Sequence, residues 1–425
     1  MPKQRILILT GSGAAMPWKG PTTKKITEKL ISDKTFKTVE GRSVGEYIYN
    51  ILENSYGIAN SIDSDDNFDS PNFENIIDAV EYLADYFYGS KEYPIKPRGS
   101  ILTRLFDVTG DIKNQILDFD KIYERKKDKR SGYYFIAKHA SETIKFWEES
   151  TFFETLLNRF YEIITEELSY SRWWEIVEGY EGINSLLKEF IEFYTSRNDI
   201  VRYYTVNYDL LAEFATRLHF FKGLVEGGFN LKKVIEDDEV LCHYNLHGSV
   251  FFKKDNRGWH CADTKQEQPI SFYNSYKNQR GETIFESNIT TGLNKISGVL
   301  EAPWQHFYHK FYNDCWNADA IYSIGYSFSD IHINKAIGNF IDSGKGRLII
   351  IDKIGKVKDE YDRERKIGRA TRNLSGLRFP HGNIADIQFK EPDGNGWITN
   401  DDLKLRFYCN GFKKFLSERQ WTTCS

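Results

Sequence analysis

Three polar side chains at alternate positions, Thr205, Asn207 and Asp209, close the stretch Ile-Val-Arg-Tyr-Tyr-Thr-Val-Asn-Tyr-Asp from Ile200 to Asp209. The β-branched and aromatic opening of this run reads as a buried strand. Side chains two apart on extended backbone share a face, so the three can project together into a crevice beyond the strand's carboxyl end. A second apolar run ends in Asn245-Leu246-His247-Gly248-Ser249 and puts an imidazole in the same kind of position. An amide that both donates and accepts, a carboxylate and a base that titrates near neutrality can hold hydroxyl groups and move a proton. Each also has a plainer reading. Thr205, Asn207 and Asp209 suit an Asx-type turn that caps the next helix, and a lone histidine such as His247 is more often structural.

Two further strand ends carry special residues. Arg5 to Thr10 is a short apolar strand running directly into Gly11-Ser12-Gly13-Ala14-Ala15, and Ala318 to Ser323 leads into Gly325-Tyr326-Ser327-Phe328-Ser329-Asp330. Glycines after a strand let backbone approach a pyrophosphate, whose charge the following amides favour. A Gly-x-Gly is common by itself, the third glycine of the dinucleotide fingerprint is replaced by Met16, and a tight turn explains the pair as well. Arg347 to Asp352 is another strand, ending in a carboxylate. Asp330 and His332 either meet a ligand or cap the following helix.

Short apolar strands alternating with helices predict an α/β fold, a doubly wound parallel sheet of Rossmann type. Between the first strand and Ile200 the chain is mostly helical. It contains an amphipathic helix from Asn72 to about Tyr88 and two longer ones over Ser141–Tyr170 and Ser171–Ser196. The expected organisation is a discontinuous core of residues 1–42 and 197–392, a large helical insertion over 43–196 and a helical C-terminal tail over 393–425. Lys121 to Arg130 is rich in charge and reads as a solvated helix face or loop. Leu210–Phe221 reads as a crossover helix, Ile384–Lys390 as an edge strand and Asp401–Phe415 as a helix.

Composition narrows the classes. With 425 residues the chain can bury a large core, and a net charge of -4 offers no strong nucleic-acid or anionic-membrane signal. Five scattered cysteines form no Cys-x-x-Cys pair, which argues against a zinc ribbon or a disulfide framework and for a reducing cytoplasm. Ile6 to Leu9 is too short for a signal sequence, and no run has transmembrane length. His306 and His309 lack a third partner, so no metal site is expected.

Taken in order, Gly11-Ser12-Gly13, Thr205-Val206-Asn207-Tyr208-Asp209, Leu246-His247-Gly248 and Gly325-Tyr326-Ser327 resemble the sirtuin family. The match covers Arg5–Gly20 and Ile200–Asp352. Departures are informative: Ala15 stands where deacylases carry a serine, Pro21-Thr22-Thr23 lacks their Asp and Arg, and their four zinc cysteines have no counterpart. The remaining pattern is similar to the sirtuin-like NAD-consuming effectors of bacterial antiphage defence, including the Asn72-Phe73-Glu74 step and the Ser327-Phe328-Ser329-Asp330 extension. This resemblance implies a NAD glycohydrolase with NAD as substrate and no metal. Asn207 would hold the nicotinamide ribose and a water, His247 would act as base, and Asp209 would orient Asn207 or balance charge. Gly11, Ser12, Gly13 and Ala14 would receive the pyrophosphate, Thr205, Gly325 and Ser327 would complete the cradle, and Asp352 would meet the adenosine ribose. It also implies restraint by homo-oligomerisation or by a separately encoded activator, such as a HerA-type ATPase or a phage protein. A NAD or ADP-ribose sensor without turnover, and a deacylase or ADP-ribosyltransferase, are the alternatives.

Overall fold

The computed structural model describes residues 3–62, 70–88, 115–116, 118–128, 132–137, 145–146, 151–225, 228–236, 239–256, 258–261, 269–277, 283–291, 302–353, 396–401 and 404–424. The chain forms two compact units. One comprises Met1–Gly20, Leu168–Pro269 and Val299–Ser425, the other Pro21–Glu167 and Ile270–Gly298.

The first unit is built on a seven-stranded sheet. Its strands are β1 (Arg5–Thr10), β2 (Ile200–Thr205), β3 (Leu241–Asn245), β4 (Ala320–Ile324), β5 (Arg347–Ile351), β6 (Trp397–Asn400) and β7 (Leu405–Tyr408). They lie in the order β3-β2-β1-β4-β5-β7-β6, all parallel except the edge strand β6. The inner five follow the 3-2-1-4-5 order of a Rossmann-type doubly wound sheet, whose direction of winding reverses between β1 and β4. That fold is therefore this chain's fold. Such strands are covered on both faces and read as unbroken apolar runs, and Ile6, Leu7, Ile8 and Leu9 are all buried.

Aromatic side chains show the two layers. Tyr322 of β4 packs on Phe190 of α3 (Glu181–Thr195), which also meets Phe415 of α7 (Phe412–Ser417). On the opposite face, Tyr204 and Tyr244 pack on Phe311 and Phe307 of α5 (Trp304–Trp316). Beneath α5, buried Asp314 accepts from Arg5 Nη1 at 2.7 Å, Lys310 Nζ at 2.9 Å and Tyr204 Oη at 2.7 Å, with Arg202 Nε 3.5 Å away. One carboxylate thus gathers three cations at the foot of the sheet.

Register sets up the site. Thr10 pairs with Thr205 and with Ile324, Thr205 pairs with Asn245, and Ile324 pairs with Ile351. Five strands therefore end level at their carboxyl edge, and the residues just beyond them share one rim.

The second unit contains helices Thr23–Ser32, Val44–Ile62, Phe73–Tyr88 and Phe152–Glu167, a three-stranded sheet and a hairpin of Tyr273–Lys277 with Thr283–Ser287. Several sequence expectations are corrected. The charged run at Lys121–Arg130 is a strand over Tyr123–Asp128, paired with Gly132–Ala137. Tyr123 is buried at its start, and Arg125 lies 4.0 Å over the cross-strand Tyr133 ring, so aromatic packing rather than charge decides the conformation. The segment Asp401–Phe415 is no continuous helix, because Leu405 and Phe407 alternate inward and pair with β5. Only Phe412–Ser417 is helical there, so the tail over 393–425 supplies two strands of the sheet as well. Among the described residues, the expected helix over Ser141–Tyr170 is α-helical only over Phe152–Glu167, and α2 (Trp173–Gly179) and α3 belong to the sheet-bearing unit rather than to the other one. The crossover helix is cut to α4 (Leu211–Thr216), where Arg217 takes a left-handed φ of 55° and stops it. Residues 384–390 lie outside the described residues.

Candidate active site

At the level strand ends, three glycines bring β1 and β4 together. Gly11 N donates to Ile324 O at 3.0 Å and Gly13 N donates to Gly325 O at 3.0 Å. A methyl group on Gly11 would stand 2.6 Å from Gly325 O, and one on Gly13 would stand 2.7 Å from Gly325 Cα. Gly325 itself has φ +56. Side chains at these positions would hold the two turns apart. The amides of Gly11, Gly13 and Ala14 are used inside this junction, Ala14 N donating to Gly11 O at 2.9 Å. Ser12 is the exposed member of the turn, while Ala14 is buried. Across the crevice Ser327 is exposed, and its Oγ lies 3.0 Å from Ser329 Oγ.

The alternating triplet after β2 separates into different tasks. Thr205 is 2 % exposed; its hydroxyl accepts from Asn207 N at 3.0 Å and reaches Thr10 O at 3.4 Å. Asp209 is 3 % exposed, and Oδ1 accepts from Leu211 N at 3.1 Å, an Asx turn at the start of α4. Its Oδ2 accepts from Tyr170 Oη at 2.6 Å. Burial pushes the Asp209 carboxyl up from the ordinary range, against the Tyr170 hydroxyl and the Leu211 N–H that favour its charge. Tyr170 is pushed well up too, by burial first and by the charge of Asp209 second.

Asn207 is the member that turns toward the glycines. It is half-buried, and its Nδ2 donates to Gly11 O at 3.0 Å. One of its two amide N–H donors is thereby used, and the carboxamide keeps a second donor and an acceptor oxygen. Asn245, 1 % exposed, braces the loop by donating from Nδ2 to Asp209 O at 2.8 Å and Asn207 O at 3.3 Å. Leu246 N donates to Thr205 O at 2.9 Å, and Ser249 Oγ to Tyr208 O at 2.8 Å, so the β2 and β3 ends are tied into one block.

His247 leaves this block buried, with Nε2 3.0 Å from Asp330 Oδ2. Asp330 caps α6 (Ile331–Asp342) through Oδ1, which accepts from His332 N at 2.9 Å and Ile333 N at 3.3 Å. Tyr308 Oη lies 3.5 Å from the same Oδ2 that meets the imidazole. Asp352 is exposed at the end of β5, its Oδ1 accepting from Lys353 N at 2.7 Å. Among the described residues no group of three or more His, Cys, Asp or Glu side chains is placed to hold a metal, and no helix is long and apolar enough to cross a membrane.

Gly11, Gly13, Gly325 and Asn207 thus meet directly, and Thr205 and Asp209 stand behind Asn207. Asn245 and Tyr170 are contributors that the sequence did not single out. The first was legible in its place two residues before His247; the second had no local signal. Asp330 was visible as a capping residue, but nothing along the chain ties it to His247.

No protein-family model matches this chain, and no curated protein matches it. Similar solved structures include a Sir2 homolog in complex with NAD, at 11% identity over 89% of this chain and 92% of that one, with a TM-score of 0.32. A triple mutant of a Sir2 homologue with 2'-O-acetyl ADP ribose has 9% identity over 90% and 96% of the two chains and a TM-score of 0.31. A single-site mutant of a Sir2 homologue with ADP ribose has 11% identity over 88% and 94%, with a TM-score of 0.29.

Proposed function

We propose that this protein is a NAD glycohydrolase that cleaves NAD to nicotinamide and ADP-ribose. The observation that carries the reading is the junction of Gly11, Gly13 and Gly325 at the sheet's reversal point, with Asn207 hydrogen-bonded to that junction through Gly11 O. Reversal points beyond the carboxyl ends of such sheets are where dinucleotides bind.

The reaction needs little covalent help, because nicotinamide leaves as a neutral base from a cationic ring. Water oxygen bonds to the ribose anomeric carbon, the carbon–nitrogen bond breaks, and its electron pair stays on nicotinamide. The proton released by water passes to a base. Asn207, anchored by one amide N–H on Gly11 O, accepts through Oδ1 from a ribose hydroxyl or the attacking water. His247 is the base. Asp209 and Thr205 position Asn207 rather than touch the reacting atoms, since their side chains are buried and engaged with the chain. Ser12 and Ser327 are exposed on the two sides of the glycine junction and serve the pyrophosphate, with Gly11, Gly13, Ala14 and Gly325 shaping the turn. Asp352 serves the adenosine ribose. Depletion of NAD as a bacterial antiphage defence, with restraint by oligomerisation or a separately encoded activator, is the biological setting in which this activity fits the motif order.

NAD loss and product chromatography with purified full-length protein, beside Asn207→Ala and His247→Ala, test the reading. Wild type should yield nicotinamide and ADP-ribose. Each variant should lose on the order of 10²-fold or more in rate while calorimetry still detects NAD binding. If NAD binds yet stays intact, both in the purified reaction and in cells under phage challenge, the protein is a sensor instead.

A further inference from the structure

Building on the reading of His247 as base, we propose that Asp330 is a positioning residue that holds the His247 proton on Nε2 and so presents Nδ1 as the basic nitrogen. The argument starts from what a carboxylate can do. An ionised Asp only accepts hydrogen bonds, so the nitrogen 3.0 Å from Asp330 Oδ2 must carry the proton. A neutral imidazole protonated on Nε2 has its lone pair on Nδ1. Both side chains are buried, at 4 % exposure for His247 and 5 % for Asp330, where a charge-assisted bond is stronger than in water.

The carboxylate is itself held. Oδ1 is committed to the amides of His332 and Ile333, so Asp330 cannot rotate away from the imidazole without uncapping α6. Asp330 N donates to Tyr326 Oη at 3.2 Å, and that hydroxyl donates to Asn334 Oδ1 at 3.1 Å. The same turn carries Gly325 and Ser327. A single short segment therefore joins the glycine junction, the exposed serine and the group that orients the base. Capping alone would need only Oδ1, and it would not require Oδ2 to face a histidine.

The test separates orientation from capping. Full-length protein labelled with ¹⁵N-histidine reports the protonated ring nitrogen by long-range proton–nitrogen correlation, and His247→Ala identifies the signal. Wild type should show protonated Nε2 and bare Nδ1. Asp330→Asn keeps a capping oxygen but can turn an N–H toward the ring, so the His247 proton should move to Nδ1. With it, kcat should fall by roughly 10²–10⁴-fold, the range for losing a base's correct tautomer, with KM and the unfolding temperature close to wild type. Asp330→Ser, which retains a capping oxygen alone, should lose the same rate. A wild-type His247 protonated on Nδ1, or an Asp330→Asn protein with unchanged tautomer and kcat, overturns the proposal. If wild type cleaves no NAD, the glycohydrolase reading fails, and the tautomer measurement still decides whether Asp330 positions His247.

Discussion

Replacing Gly325 with Ala measures how much the close approach of β1 and β4 contributes. Gly325 sits at φ +56, and a methyl group there would stand 2.4 Å from Ala14 N and 2.4 Å from Gly13 C. Both neighbours are backbone atoms, so no rotamer change can make room. The left-handed conformation costs alanine about 1–2 kcal/mol. Forcing a carbon into a filled contact adds about 1–3 kcal/mol, which brings the loss to roughly 2–5 kcal/mol. Gly344→Ala is the matched control: φ is +61 there, and the added carbon meets nothing within 4 Å. It should lose only the conformational part. For a unit of this size each kcal/mol lowers the unfolding temperature by roughly 2–4 °C. Gly325→Ala should therefore unfold about 4–20 °C below wild type and Gly344→Ala about 2–8 °C below, followed by circular dichroism. Calorimetry should show NAD binding lost in the first variant and kept in the second. Equal shifts in the two proteins, with NAD binding intact in both, would refute the claim that the glycine junction shapes the crevice.

Other outcomes follow from the same geometry. Asp314→Ala removes the buried carboxylate that Arg5, Arg202 and Lys310 share, and should cost about 3–5 kcal/mol in urea unfolding; a loss under about 1 kcal/mol would mean that the other contacts of these cations suffice. Tyr170→Phe removes a donor to Asp209, so the Asp209 carboxyl, already raised, should titrate higher still by carbon-13 NMR, and an unmoved titration would count against the pairing. Burial first, and Glu74 second, raise Asp78 from 3.8 to about 6. Between those values the folded state binds more protons than the unfolded one, so stability falls as pH rises through the window and stays lower above it. Asp78→Asn should accordingly stabilise the protein at pH 7 by roughly 1–3 kcal/mol and make little difference below about pH 4; stabilisation that persists at low pH would point to another cause.

What the sequence displayed was whatever lies within one strand and its exit. Ile6–Leu9 and Leu348–Ile351 are apolar because parallel strands are covered on both sides, and this pattern needs no partner to be recognised. Asn207 and His247 stood out because each follows such a run. Relationships across the fold were hidden. Asp209 sits by Tyr170 and His247 by Asp330 only because separate elements are packed together, and no spacing along the chain encodes that. The strand at Tyr123–Asp128 escaped for a different reason, since Arg125, Lys126 and Lys127 lie across from Phe135, Tyr134 and Tyr133, aromatic residues whose place was unknown. At Leu405–Tyr408, a four-residue run with two inward positions is too short for periodicity to distinguish strand from helix.

The order of strands also has a consequence for synthesis. β1 is made long before β4 and lies inside the sheet between β2 and β4, yet Arg5 finds its partner Asp319 at a sequence separation of 314 residues. At about 5–20 residues per second, β1 waits on the order of 15–60 s for β4 to be made. The crevice draws residues from both ends of that interval, Gly11 from the beginning and Gly325 from near its close. A nascent chain that has not yet reached β4 therefore lacks half of the junction, and the crevice cannot assemble until Gly325 has been made.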